Sequence, residues 1–284
     1  MNRQQLVEQI FLKRSYLCIG LDSDREKIPS HLLKSEDPVY EFNKQIIDST
    51  RDLCVGYKIN TAFYESAGVK GWQTMEKTVS YIGNDHLLIA DAKRGDIGNT
   101  SSQYAKAFFE TIPFGAITVA PYMGHDSIKP FLQYANKWTI LLGLTSNPGA
   151  EDFELKKIII ENETLEEGVH IKNSSQRFLY EHVLHTAAGW GSEQNLMFVI
   201  GATQAAEFVN IRKIVPNHFF LVPGIGAQGG SLQEISEKAM TTDCGLLVNA
   251  SRSVIFASAG KDFADAARAE AKKYQVEMDS YLPH

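Results

Sequence analysis

The chain has 284 residues, 44% hydrophobic and 22% charged, enough to bury a large core in one big domain or two smaller ones. Acidic residues outnumber basic ones 34 to 28, a formal net charge of -6 that argues against a general polyanion surface and so against a nucleic-acid partner. A local pocket for one small anion remains open, and Cys18, Cys54 and Cys244, in or beside apolar runs and without CxxC spacing, read as reduced, packed thiols of a cytoplasmic protein.

The first segment, "MNRQQLVEQIFLKRSYL", has the pattern of an amphipathic helix and lacks the continuous apolar stretch of a signal peptide. No apolar run approaches the roughly eighteen residues needed to span a bilayer, so no membrane partner is expected. Short apolar runs then recur: Tyr16–Asp22, Leu53–Asn60, His86–Lys93, Ala116–Pro121, Thr139–Thr145, Leu196–Thr203, Phe219–Gly224 and Gly245–Ser251. Near-continuous apolar strands are the mark of a parallel sheet covered on both faces. Helical patterns such as "DPVYEFNKQIIDSTRD" and "SLQEISEKAMTT" fill the intervals, and eight such units predict a (β/α)8 barrel across one domain, residues 1–284. A doubly wound open sheet is the alternative, but no GxGxxG follows the first strand.

The interval from Ser146 to Asn195 breaks the rhythm with about fifty residues. Its charged tract "EDFELKKIIIENETLEEG" and its helical pattern "SSQRFLYEHVLHTAAGW" predict an insertion or flap above the barrel mouth.

In such a barrel the active site lies at the C-terminal ends of the strands. Those ends here are Asp22, Lys58, Asp91, Lys93, Pro121, Ser146, Gln228 and Arg252, many of them unsuited to a core. Asp91 and Lys93 are two apart on one strand and so point to the same side, with Ile89 continuing their row. Lys58 ends the neighbouring strand, Asp96 follows in the loop, and Thr100 with Gln103 has the spacing of a capping box. A structural ion-pair cluster is the plain reading of these charges. Buried charge networks are, however, a poor route to stability, and chemistry that needs fixed charges explains this one better. Carboxylates around Lys93 favour its charged form, which suits a proton donor rather than a Schiff-base amine.

"VPGIGAQGG" and "VNASRSV" follow the seventh and eighth strands, the usual phosphate position in these barrels. Their glycines let backbone N–H groups approach an oxyanion, and Arg252 adds a fork-shaped cation. Two ordinary tight turns are the competing reading. Ser146, in "LTSNPGAEDF", is placed to hydrogen-bond a polar ring edge, although Pro148-Gly149 there equally suits a simple turn. His125 in "PYMGHDS" reads as a surface residue, and the histidines show no HExxH or similar spacing, so no metal is expected.

Together these segments resemble the orotidine 5'-phosphate decarboxylase family, whose signature is Asp-x-Lys-x-x-Asp at the end of the third strand. Here it reads "DAKRGDIGNT", in the form of the longer bacterial subgroup, type 2, and "GLDSD", "GYKIN", "TSNPGAE", "PGIGAQGG" and "NASRS" fall around it in family order. The resemblance implies decarboxylation of orotidine 5'-phosphate to UMP and CO2 in pyrimidine synthesis, with no cofactor. It implies Lys93 as proton donor to C6, Asp91 beside the departing CO2, and Lys58 as its charged neighbour. It further implies Asp22 on the ribose, Ser146 on the pyrimidine, Gln228 and Arg252 on the phosphate, and Asp96 and Thr100 lent across a homodimer interface.

Two other readings stay open. Magnesium-dependent sugar-phosphate decarboxylases or aldolases of the same superfamily share the Asp-x-Lys-x-x-Asp pattern. They are expected to carry an acidic residue where Lys58 stands. A catalytically silent nucleotide-binding barrel would need the anion grip but not Asp91 and Lys93.

Overall fold

The computed structural model describes residues 1–166, 169–226 and 229–283, with the backbone alone over residues 162–166 and 169–173. Ten strands are present among the described residues: β1 (Leu17–Gly20), β2 (Gly56–Asn60), β3 (Leu87–Arg94), β4 (Ala116–Val119), β5 (Trp138–Leu144), β6 (Lys157–Glu166), β7 (Val169–Phe178), β8 (Leu196–Ile200), β9 (Phe219–Pro223) and β10 (Leu246–Ala250). Eight of them close a barrel in the order β1-β10-β9-β8-β5-β4-β3-β2, each neighbour parallel, as the apolar runs predict. Their Leu, Ile, Val and Phe side chains are buried on both faces, which is why the strands read as continuous rather than alternating.

The crossover helices begin and end where local chemistry dictates. Asp37 caps helix Pro38–Thr50 by accepting from the Tyr40 N–H at 3.2 Å, and Pro38 occupies the first helical position, where no N–H is needed. That helix buries Phe42, Ile46 and Ile47, and Phe42 stacks on Phe256 and Phe263. Ser231 likewise caps helix Leu232–Ala239 through the Glu234 N–H.

The N-terminal helix, Arg3–Lys13, closes the far end of the barrel with Leu6 and Ile10. Arg3 donates to the Asp243 carboxylate and to the carbonyls of Glu193 and Asn217, residues just ahead of β10, β8 and β9. One buried guanidinium thus satisfies three strand entries at once.

Two expectations need correction. Residues 157–166 and 169–178 form an antiparallel ribbon, β6 paired with β7 in unbroken register from Lys157–Phe178 to Glu166–Val169, so the helical pattern expected from Ser174 begins as strand. The helix is confined to Leu179–Ala187, because residues 174–178 are committed to pairing with β6. The charged composition reflects a two-stranded ribbon with little to bury, in which even Ile159 is exposed. The second correction concerns Thr100. Ile97 holds the N-cap position of helix Gly98–Lys106, so Thr100 lies inside the first turn and caps nothing.

Gly201, after β8, lies so close to Ser146 that an added Cβ would stand 2.7 Å from the Ser146 nitrogen and 2.9 Å from its Cα. Backbone cannot yield as a flexible side chain does. Gly201→Ala is therefore expected to cost about 1–3 kcal/mol in urea unfolding, and to raise KM by moving the Ser146 loop. An unchanged midpoint and KM would show that the loop moves freely.

Candidate active site

The site grows out of an irregularity in β3. Ala90 pairs with Ile117 on β4, but the next pair is Arg94 with Val119, so β3 spends four residues where β4 spends two. The bulge carries Lys93 into the left-handed region at φ 46°, a conformation that costs a non-glycine residue about 1–2 kcal/mol. Thr118 on β4 holds it there. Its hydroxyl accepts from the Lys93 N–H at 2.9 Å and donates to Asp91 Oδ1 at 3.1 Å. Plain alternation would put Asp91 and Lys93 on one side; they do share a side, through a bulge pinned by a neighbour.

Four charges alternate across the mouth. Lys93 Nζ lies 2.6 Å from Asp91 Oδ1, Lys58 Nζ 3.0 Å from Asp91 Oδ2, and Lys58 Nζ 3.4 Å from Asp22 Oδ1. Their burial is graded, with side-chain exposures of 5% for Lys58, 12% for Asp91 and 51% for Lys93. Burial by itself would pull the Lys58 ammonium down, but the Asp22 and Asp91 carboxylates outweigh it and hold its pKa above the ordinary lysine value. Burial likewise opposes ionisation of Asp91, yet Lys58 and Lys93 lower its carboxyl to about 2. The buried pair is thus ionised, and Lys93 stands at the open end of the row.

The charges face a cavity of about 300 Å³ lined also by Asn60, Thr118, Ser146, Asn249, Ser251 and Arg252. Leu142, Val199, Leu221 and Ile225 form its apolar side, a wall of low polarity that strengthens the field of the charges opposite. Gly224 and Gly226 have φ of 98° and 71° in the turn after β9, a backbone path that glycine follows without strain. The loop after β5 is fixed from the ribbon base: Glu154 accepts from the Thr145 N–H at 2.6 Å and from its hydroxyl at 2.8 Å, one residue before Ser146.

Asp22, Lys58, Asp91, Lys93, Ser146 and Arg252 therefore meet around one cavity. Asp96 and Thr100 do not join them. The Asp96 carboxylate accepts from the Ile97 N–H, and Thr100 is exposed on the adjoining helix. Gln228 lies outside the described residues. Lys58 stands two residues before the end of β2, the last place being held by Asn60. Arg94 turns away, pairing with Glu65 and resting over Tyr104 and Phe108, and exposed His125 packs near Trp190. Sequence reasoning missed Asn60, Thr118 and Asn249. The signal for both asparagines is an amide inside an apolar strand, in "GYKIN" and "LLVNA". Among the described residues no helix is long and apolar enough to cross a membrane. Nor do three or more His, Cys, Asp or Glu side chains gather among them as a metal would require.

Fold and site together define a (β/α)8 barrel enzyme that works with fixed charges at the C-terminal mouth. Residues 15–269 match the Orotidine 5'-phosphate decarboxylase / HUMPS family, and the chain belongs to it. It is 57% identical over 281 residues to an orotidine 5'-phosphate decarboxylase of Flavobacterium johnsoniae, covering 98% of this chain and 97% of that one. It is 53% identical over 285 residues to one of Phocaeicola vulgatus, covering 99% of each. Among solved structures it resembles Leishmania donovani OMP decarboxylase with a TM-score of 0.79 and 32% identity over 99% of this chain and 98% of that one.

The paired charges set a pH dependence. Because the folded pKa of Asp91 is depressed, its stabilisation is complete above the unfolded value of about 3.9 and fades as pH falls through about 2. Lys58 is raised, so its contribution is complete below about 10.4 and is lost above that. A pH–kcat profile should accordingly show no limb between pH 4 and 9 that disappears in Asp91→Asn. Such a limb near pH 5 would mean that Asp91 is not held ionised.

Proposed function

We propose that the chain decarboxylates orotidine 5'-phosphate to UMP and CO2 in de novo pyrimidine synthesis, with Lys93 protonating C6. The single observation that carries this reading is the alternating row Lys93–Asp91–Lys58–Asp22 facing a cavity that Arg252, just after β10, also lines. The nucleotide lies with its phosphate at Arg252 and Gln228, its ribose at Asp22 and Lys58, and its pyrimidine edge at Ser146. C6 then comes to the Lys93 ammonium. As the C6–carboxylate bond breaks, its electron pair stays on C6 and CO2 leaves past Asp91. The Lys93 Nζ proton passes to C6 and leaves a neutral amine.

No cofactor serves as electron sink in this scheme, so the developing charge must be met by groups already in place. A positioned proton donor typically contributes about 10²–10⁴-fold, or roughly 3–5 kcal/mol, of the 8–23 kcal/mol by which enzymes commonly lower barriers. Lys93 alone is too little. Phosphate and ribose contacts supply the rest as binding energy that organises the site. Repulsion between Asp91 and the substrate carboxylate adds ground-state destabilisation only to the extent that the ligand cannot rotate away.

Lys58 separates this reading from the magnesium-dependent branch, because a buried ammonium stands where that branch is expected to use a metal-binding carboxylate. Loss of orotidylate absorbance should proceed at full rate in EDTA-treated, metal-free buffer. Complete loss of turnover restored by magnesium would transfer the chain to the other branch. Lys93→Ala should abolish turnover while keeping UMP binding within about tenfold; wild-type-like turnover would remove Lys93 from the mechanism.

The working unit in this reading is a cytoplasmic homodimer with shared sites, and the β6–β7 ribbon belongs to the rim of a single domain. Asp96 stands between Gly95, which the Met123 side chain approaches, and Ile97, 56% exposed; with the almost wholly exposed Tyr122 next to Met123 in the chain, these apolar side chains suit burial against a second copy. Mixing Lys93→Ala and Asp96→Ala chains, each inactive alone, should restore some activity in mixed dimers. Failure to complement would confine each site to one chain.

A further inference from the structure

Asn249 sits one residue before the end of β10, with its backbone between Cys18 on β1 and Pro223 on β9. Its side chain lines the active-site cavity, yet the residue is only 7% exposed. Neither end of the amide has a hydrogen-bond partner among the described residues. Oδ1 is sealed against the barrel wall, 3.3 Å from where a Cβ on Gly20 would stand. Leaving a buried amide unpaired costs stability, and Leu142, Val199 and Leu221 show that an apolar side chain suits this part of the wall. An amide kept there although its Oδ1 stays unpaired is explained if its other end, Nδ2, has a ligand to meet in the cavity.

We propose that Asn249 is a substrate-binding residue whose Nδ2 donates a hydrogen bond to the ribose of the bound nucleotide. Because Oδ1 is covered, Nδ2 is the end left to face the cavity. Asn249 lies between Gly20, whose neighbour in register is Lys58, and Ser251-Arg252 on the phosphate side. A nucleotide stretched from Arg252 to Lys93 passes its sugar over this point. The amide is uncharged, so it orients the sugar without disturbing the row of charges that begins on the neighbouring strand.

This inference rests on the nucleotide orientation proposed above, and the experiment keeps the two apart. Asn249→Ala and Asn249→Leu are compared with wild type by thermal unfolding of the free protein and by inhibition of turnover by UMP, uridine and inorganic phosphate. With no hydrogen bond lost inside the protein, the Tm of the free variants should be unchanged or higher, and highest for Asn249→Leu. UMP and uridine should both weaken by about five- to tenfold, the worth of one hydrogen bond, while inorganic phosphate is unaffected. A lowered Tm with unchanged UMP inhibition would make the amide structural and overturn the proposal. Weakening for UMP but not for uridine would move the contact to the phosphate and overturn it equally. Arg252→Ala is the control for orientation: if that variant is inhibited by UMP like wild type, the orientation fails whatever Asn249 does.

Discussion

One carboxylate shared by two ammonium groups organises the mouth of this barrel. Asp91 divides its oxygens between Lys93 and Lys58, and takes a third hydrogen bond from Thr118. Each partner comes from a different strand or from the far side of the bulge, so the group forms only when β2, β3 and β4 are in register. Removing the carboxylate would leave Lys58, 5% exposed, leaning on Asp22 alone. Burying unpaired charge is among the costliest changes a fold can undergo. The cluster is therefore as much a test of correct assembly as it is a reagent.

The barrel divides its duties between its two ends. Apolar strands and the Arg3 clamp secure the N-terminal end, while the alternating row of charges stands at the other. The left-handed backbone at Lys93 is tolerable because the surrounding sheet over-determines it. Graded burial along Lys58, Asp91 and Lys93 has a chemical sense: the inner pair is locked in its ionised state, and the outer ammonium, half exposed, is the one free to meet a ligand.

Much of this was legible in the chain. Continuous apolar runs located all eight barrel strands, because strands covered on both faces have no polar side to confuse the pattern. Charged residues at the ends of those runs located Asp22, Lys58, Asp91 and Lys93. Spacing could not reveal the bulge, which depends on Thr118 from another strand, nor that Arg94 leaves the cluster for Glu65. The ribbon was hidden because its pairing partner is the only thing that makes residues 157–166 a strand. Asp96 and Thr100 drew notice by motif alone, and their surroundings within one chain give them no part in the cavity.

The two bonds that Thr145 donates to Glu154 couple two regions that look separate on the surface. The ribbon is anchored at its base, where Leu179 and Tyr180 donate to the carbonyls of Lys156 and Glu154. Glu154 in turn grips the residue next to Ser146. A swing of the ribbon that carries Glu154 along must either break two short hydrogen bonds or drag the Ser146 loop with it. Ribbon and cavity rim are in that sense one lever, with its fulcrum at Glu154.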